Sequence, residues 1–263
     1  FASILTGVLK DECELNWDDY VINYLPDFRL QSEEQTKQLQ LQHVLSHTIG
    51  LPYHSYTNLV EEGRDLGDML HELSNLKLVG KVGEIHSYQN VAYSLIGEVI
   101  EAKMGRSYEQ VMQEHVLAPL GMDNTSLNYT AFINHPDIAL PHAYYKRMLK
   151  VTSITDTYYN VAPAGGVNTS IHDMAQWMRA ILGYREDIIS KSTLQEIYNP
   201  VVTTATRHRY FGDWGRLRKA YYAKGFRVLY YPNDTLIYHC GYVNGYRSEV
   251  AIDPRDNIAI CIL

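Results

Sequence analysis

Helices first and antiparallel strands last is the order of patterns along this 263-residue chain, and it predicts an α+β fold of the α/β-sandwich type. Three observations carry that reading. Apolar residues recur at helical spacing through most of residues 1–200. After Pro200, aromatic and β-branched residues come in short runs separated by turn residues. Strands do not alternate with helices, and there is no internal repeat or low-complexity linker, so a βαβ array and a solenoid are both excluded. Residues 1–200 are read as a mostly helical region and 201–263 as an antiparallel sheet, the two interleaved in one domain. With 46% hydrophobic residues the chain can fill a core of that size.

The elements follow in order. Phe1, Ile4, Leu5, Val8 and Leu9 fall at i, i+3, i+4, i+7 and i+8, an amphipathic helix already under way at the first residue. Asn16 is placed to cap a short helix with Asp18 and Asp19 in its first turn, where the macrodipole favours carboxylates, and Pro26 closes it. Helices are expected over Thr36–His47, stopped by Gly50-Leu51-Pro52, over Leu59–Leu76, over Tyr88–Lys103 with Gly105 beyond it, and over Tyr108–Val116. Residues 128–166 lose periodicity and hold Pro136, Pro141, Pro163 and four tyrosines, Tyr144, Tyr145, Tyr158 and Tyr159; a stretch of that length is more often functional than idle. Ser170 with Asp173 three residues on starts a helix over Ile171–Leu182, and another follows near Ser192–Tyr198. Strands are expected over Gly225–Tyr231, Leu236–His239, Tyr246–Asp253 and Asn257–Leu263, the last two joined by the turn Asp253-Pro254-Arg255-Asp256.

Composition narrows the function. Lys and Arg number 23 against 30 Asp and Glu, a formal charge of −7, so the surface does not suit the phosphates of a nucleic acid. No apolar run comes near the roughly 18 residues of a membrane-crossing helix, and no transmembrane segment is expected. Cys13, Cys240 and Cys261 are too few and odd in number for a disulfide framework and are read as packing residues. Tyrosine is the compositional outlier, 22 against 5 Phe.

Several patterns could carry chemistry. His43 and His47 stand i, i+4 on an expected helix, a metal-ligand spacing, but no Glu adjoins His43 and no third ligand is implied; no metal is expected. Ser74-Asn75-Leu76-Lys77 fits Ser-x-x-Lys, in which a lysine one turn away takes a serine's proton, yet it falls at the end of a helix and is read as chance. Two segments are more specific. Tyr88-Gln89-Asn90 sits where a loop enters a helix, holding a phenol and an amide side by side at a helix N-terminus, and the phenol is a plausible general base there. His239-Cys240-Gly241-Tyr242 lies on a strand, where a glycine lets substrate approach the backbone and the next N–H can donate to an oxyanion.

Together and in order, these segments resemble the serine β-lactamase and penicillin-binding protein superfamily, in its class C β-lactamase-like branch. The likeness extends over Gly7-Val8-Leu9-Lys10-Asp11-Glu12, Leu15-Asn16-Trp17-Asp18-Asp19, Leu45-Ser46-His47-Thr48-Ile49-Gly50-Leu51-Pro52, Tyr88-Gln89-Asn90, Pro119-Leu120-Gly121-Met122, Ala164-Gly165-Gly166 leading into Asp173-Met174-Ala175, and Gly245-Tyr246-Arg247-Ser248-Glu249 after His239-Cys240-Gly241. The resemblance implies a β-lactamase/transpeptidase-like fold and a serine hydrolase working through an acyl-enzyme on a β-lactam, ester or D-amino-acid peptide. It implies that Tyr88 shuttles the proton, that Asn90 binds the substrate amide, that Gly241 contacts substrate, that His239 takes the third-motif position, and that the Tyr242 N–H is half of an oxyanion hole. It implies no cofactor or metal, a small-molecule or peptide substrate, and a periplasmic or secreted setting in a bacterium; oligomeric state stays open.

Two departures bear on substrate. The third motif has His239 where true β-lactamases have Lys, and Cys240 where a Thr hydroxyl would help hold the substrate carboxylate. In such enzymes Ser-x-x-Lys opens the helix that here begins at Phe1, so the nucleophile is expected a few residues before it. Residues 1–263 by themselves are then expected to be incomplete at both ends and inactive. The alternative is a non-catalytic member of the family that keeps the cleft for binding or scaffolding.

Overall fold

The computed structural model describes residues 1–206 and 214–263. Its helical part opens with α1 (Ala2–Asp11), every residue of which from Ala2 to Leu9 is buried. The helix packs on α13 (Lys191–Tyr198) so closely that a Cβ at Gly7 would come within 2.9 Å of Ile197 and Thr193. The amphipathic pattern read from Phe1 onward is thus the exposed reading of a helix covered on all sides. Between them come α2 (Glu33–Gln38), α3 (Leu41–Leu45), α4 (Thr57–Glu61), α5 (Leu66–Glu72), α6 (Asn90–Tyr93), α7 (Leu95–Met104), α8 (Tyr108–Met112), α9 (Ala118–Leu120), α10 (Tyr129–Ile133), α11 (Ala162–Gly165) and α12 (Ile171–Ile181). A two-stranded hairpin, β1 (His142–Tyr145) and β2 (Met148–Val151), interrupts them.

The helix boundaries depart from expectation in four places. Asn16 caps no helix: the Asp19 carboxylate accepts its N–H at 2.8 Å, closing a turn instead. Thr36–His47 is two helices, because Leu39 and Gln40 turn extended and pair with Tyr20 and Val21. Leu59–Leu76 breaks at Gly63, which takes φ +75°. The helix after Tyr88 starts at Asn90 and restarts at Leu95. Ser170 does cap α12, accepting the Asp173 N–H, and Gly105 ends α7 at φ +66°.

The main sheet is a six-stranded antiparallel meander in sequence order: β3 (Val202–Thr204), β4 (Lys219–Tyr222), β5 (Arg227–Tyr230), β6 (Thr235–Val243), β7 (Tyr246–Asp253) and β8 (Ile258–Ile262). One face, with Val228, Ile237 and Ile252, joins the helical core; the other gathers a small separate cluster of Ala220, Leu229 and Tyr238. This is an antiparallel sheet flanked by helices, an α+β fold as the order of patterns predicts. Among the described residues no helix is long and apolar enough to cross a membrane. Cys240 and Cys261 pack against these cores, whereas Cys13 is exposed in a left-handed turn, φ +63°, and is no packing residue.

Strand lengths create the feature on which the site depends. Pairing of β5 with β6 stops at Arg227 opposite Tyr238, while pairing of β6 with β7 continues to Val243 opposite Tyr246. Among the described residues, β6 from His239 to Val243 has a hydrogen-bonded strand neighbour on one side only.

Candidate active site

Three segments far apart in sequence meet at that open edge. The β4–β5 turn presses on the start of α1: Ser3 Oγ donates to the Lys224 carbonyl at 2.6 Å, and Gly225 donates to the Leu45 carbonyl at 2.9 Å. Gly225 needs its freedom, since it sits at φ +79° and a Cβ there would lie 2.8 Å from Ser3 Cβ and 3.2 Å from Tyr93 Oη.

The second segment, residues 85–90, is held from below by His47. The His47 carbonyl accepts the Ser87 N–H at 2.9 Å and its Nδ1 accepts the Gln89 N–H at 3.2 Å. Its ring lies under Tyr88, centroids 4.2 Å apart, and stacks on Tyr93 at 4.9 Å. Burial first, then repulsion from the Arg227 guanidinium and from any proton on His86, His239 or His54, holds the His47 imidazole well below its ordinary pKa, so it is neutral with its proton on Nε2. To do this His47 adopts φ +56°, a left-handed conformation that costs a β-carbon residue about 1–2 kcal/mol. The His43–His47 spacing therefore serves structure: His43 Nδ1 accepts the Gln40 N–H of its own helix start at 3.1 Å. Tyr88 comes just before α6, half-buried, its carbonyl accepting the His54 N–H at 2.9 Å, and Asn90 is the first residue of that helix.

The third segment is the overhanging end of β6. His239 reaches Tyr222, their Nε2 and Oη 3.3 Å apart. Burial pushes the Tyr222 phenol well above its ordinary value, so it keeps its proton and donates. His239 is pushed down to about 3, by burial first, then by the Arg227 guanidinium, so it accepts as a neutral ring. The third-motif position thus presents an uncharged imidazole where the resemblance would place a lysine. Arg227 itself is buried, its guanidinium 5.3 Å from the Tyr222 ring centre. Tyr222 is the common wall, with Tyr88 at 6.4 Å, His86 at 4.8 Å and His239 at 6.5 Å between ring centres.

Gly241 has a packing reason as well: a Cβ there would fall 2.6 Å from the Oγ of Ser248, its partner on β7. Tyr242 is 67% exposed and stands opposite Arg247. Ser74 donates to the His71 carbonyl within a single 3₁₀ turn, Leu73–Asn75, that ends before Lys77, so no helix carries that serine and lysine together. The Cys240 thiol is held up by burial. Among the tyrosines of residues 128–166, Tyr158 lies against Gly165, which in turn meets Val243 at the end of β6, whereas Tyr144 and Tyr145 are on the exposed hairpin. Tyr222 is the support that no motif singled out; His47 was marked by its spacing from His43 and by its place in Leu45-Ser46-His47-Thr48, neither of which pointed to this supporting role.

The chain has measurable relatives. The family model described as Beta-lactamase matches residues 1–263. A hydrolase from Aspergillus campestris, "Unguisins hydrolase ungD'", is 23% identical over 264 residues, covering 98% of this chain and 48% of that protein. The octameric penicillin-binding protein homologue from Pyrococcus abyssi superposes with a TM-score of 0.82 at 22% identity, covering 99% of this chain and 58% of that one. A D-stereospecific amidohydrolase from Streptomyces superposes at 0.77 with 16% identity, covering 99% and 77%. The chain spans about half the length of the curated relatives it matches. The family match covers the whole chain and the fold is shared with both solved structures: the protein belongs to the beta-lactamase family.

Proposed function

We propose that the full-length protein is a serine hydrolase of the class C β-lactamase-like branch, acting through an acyl-enzyme. The observation that supports this most is the packing of Tyr88 and His239 around Tyr222 beside the first turn of α1, with the end of β6 open along one edge. In this reading the turn preceding Phe1 carries the nucleophilic serine and its lysine. Tyr88 passes the serine proton to the leaving group, Asn90 orients the substrate amide, and the Tyr242 N–H shares the oxyanion with the nucleophile's own N–H. Addition of the serine oxygen to the carbonyl carbon expels the leaving group, and a water then releases the acyl group by the same route.

The neutral His239 and the half-buried Cys240 thiol offer no fixed cation or hydroxyl for a substrate carboxylate. This favours neutral esters and amides, including D-amino-acid amides, over penicillins and cephalosporins; by the same resemblance the setting is periplasmic or secreted. Full-length protein should therefore hydrolyse short acyl esters or D-alanyl amides faster than nitrocefin when the three are compared side by side. A fluorophosphonate probe should label a serine upstream of Phe1. Labelling of any residue within 1–263, Ser74 being the first to check, overturns the mechanism, and no turnover of all three substrates points to the binding-only family member.

A further inference from the structure

The β1–β2 hairpin carries large apolar and aromatic side chains that the fold leaves outside. Tyr144 is 78% exposed, and Tyr145, Met148, Leu149 and Val151 are each more than half exposed. Register pairs Tyr144 with Leu149 and Tyr145 with Met148. Successive pairs point to opposite faces of a strand pair, so both faces of the hairpin carry exposed apolar or aromatic groups. A protein groove would cover one of them; a fluid interface covers both.

Charge points the same way. The protein is acidic overall, −7, yet residues 138–155 contain Lys146, Arg147 and Lys150 and no Asp or Glu. Lys146 and Lys150 bracket the Tyr145 ring, 5.3 and 4.7 Å from its centre. The tip places Lys146 at φ +47° and Arg147 at φ +68°, the two left-handed positions of a hairpin turn that Gly, Asn or Asp would fill more easily. Two long cations are kept where the backbone is strained. The base is fixed: the His142 N–H donates to the Gly245 carbonyl at 3.1 Å, the Thr152 N–H to the Pro141 carbonyl at 2.9 Å, and Tyr246 Oη to the Ala139 carbonyl at 3.0 Å.

We propose that the β1–β2 hairpin docks the protein on a lipid bilayer with anionic headgroups, its tyrosines and Met148/Leu149 at the interface and its Lys/Arg tip among the phosphates. Because the hairpin is tied to Gly245, two residues past the end of β6, docking holds the mouth of the site close to the lipid surface. The inference stands on the hairpin alone and does not need the catalytic reading.

The test is co-sedimentation of the full-length protein with vesicles of phosphatidylcholine and of phosphatidylcholine mixed with phosphatidylglycerol, at low and high salt. Binding is expected to the mixed vesicles and to weaken with salt. Lys146→Gln combined with Arg147→Gln should reduce it roughly 30-fold, the loss of two surface cations. Met148→Ser with Leu149→Ser should reduce it too. Melting temperatures unchanged from wild type show that the variants are folded. The idea is overturned by no binding to the mixed vesicles, by binding that both variants retain in full, or by hairpin-dependent self-association with no lipid affinity.

Discussion

Lowering the pH from 7 to 5 should destabilise the folded protein through two imidazoles that cannot charge where they sit. Burial and neighbouring positive groups hold both His47 and His239 below the ordinary value of 6.5, His239 at about 3. Below 6.5 the unfolded chain takes up protons that the folded chain refuses, so stability falls with pH and, for His239, goes on falling until about 3. Integrated from pH 7 to 5, His239 removes about 2 kcal/mol, and His47 adds to the loss with the same sign. His43, also lowered by burial, adds to the same sign, while the half-buried Glu98 carboxyl, raised by its partial burial, opposes it at the acidic end. Urea midpoints measured on full-length protein at half-unit steps from pH 7.5 to 5 read the slope directly. His239→Gln should take away about one proton's worth of it, close to 1.4 kcal/mol per pH unit well below 6.5. A flat profile, or a slope that His239→Gln leaves unchanged, would show that these rings charge freely and that the neutral third motif is wrong.

Four further outcomes are expected. Tyr88→Phe should lower kcat for the best ester by about 10²–10³ with little change in KM, as expected for a lost proton shuttle; equal losses in KM would assign Tyr88 to binding. Tyr222→Phe removes the donor to His239 and should cost about 1 kcal/mol, raise the His239 pKa by about half to one unit, and move the acid limb of the pH–rate profile up with it; an unmoved limb argues against that hydrogen bond. Gly225→Ala should cost about 3 kcal/mol in a urea melt, from the left-handed backbone and the clash with Ser3 and Tyr93. Asp173→Ala should cost a similar amount, since the buried carboxylate accepts the Asn124 N–H at 2.8 Å and the Thr125 hydroxyl at 2.7 Å, and those two donors would be left dry.

Much of the fold was legible wherever one local rule acted alone. The 3–4 spacing from Phe1 to Leu9, the Ser170–Asp173 cap and the turn at Asp253–Asp256 each state their geometry within a dozen residues. Reading failed where distant backbone intervened. Nothing near Leu39 breaks a helix; it is the pairing of Gln40 with Tyr20 that pulls the chain straight. Lys146-Arg147 carries no turn residue, so the β1–β2 hairpin gave no signal, and β4 hid because its alternation lasts only from Lys219 to Tyr222. In the site, Tyr88 and His239 stood out by motif spacing. Tyr222 did not, and His47 stood out only for its spacing from His43, because a supporting ring is defined by what it touches, and their contacts with Tyr88 cross 134 and 41 residues of sequence.

The meander has a kinetic consequence. Each strand of the main sheet pairs with its sequence neighbour, so the sheet from β4 to β8 closes only short loops. The active site instead requires Ser3 to find Lys224, a separation of 221 residues. Closing the long loop earns nothing until both ends are already structured. The sheet is therefore expected to form ahead of the site during refolding, with the β signal in circular dichroism recovering before turnover does, and the lag should lengthen when the Ser3–Lys224 hydrogen bond is removed by Ser3→Ala.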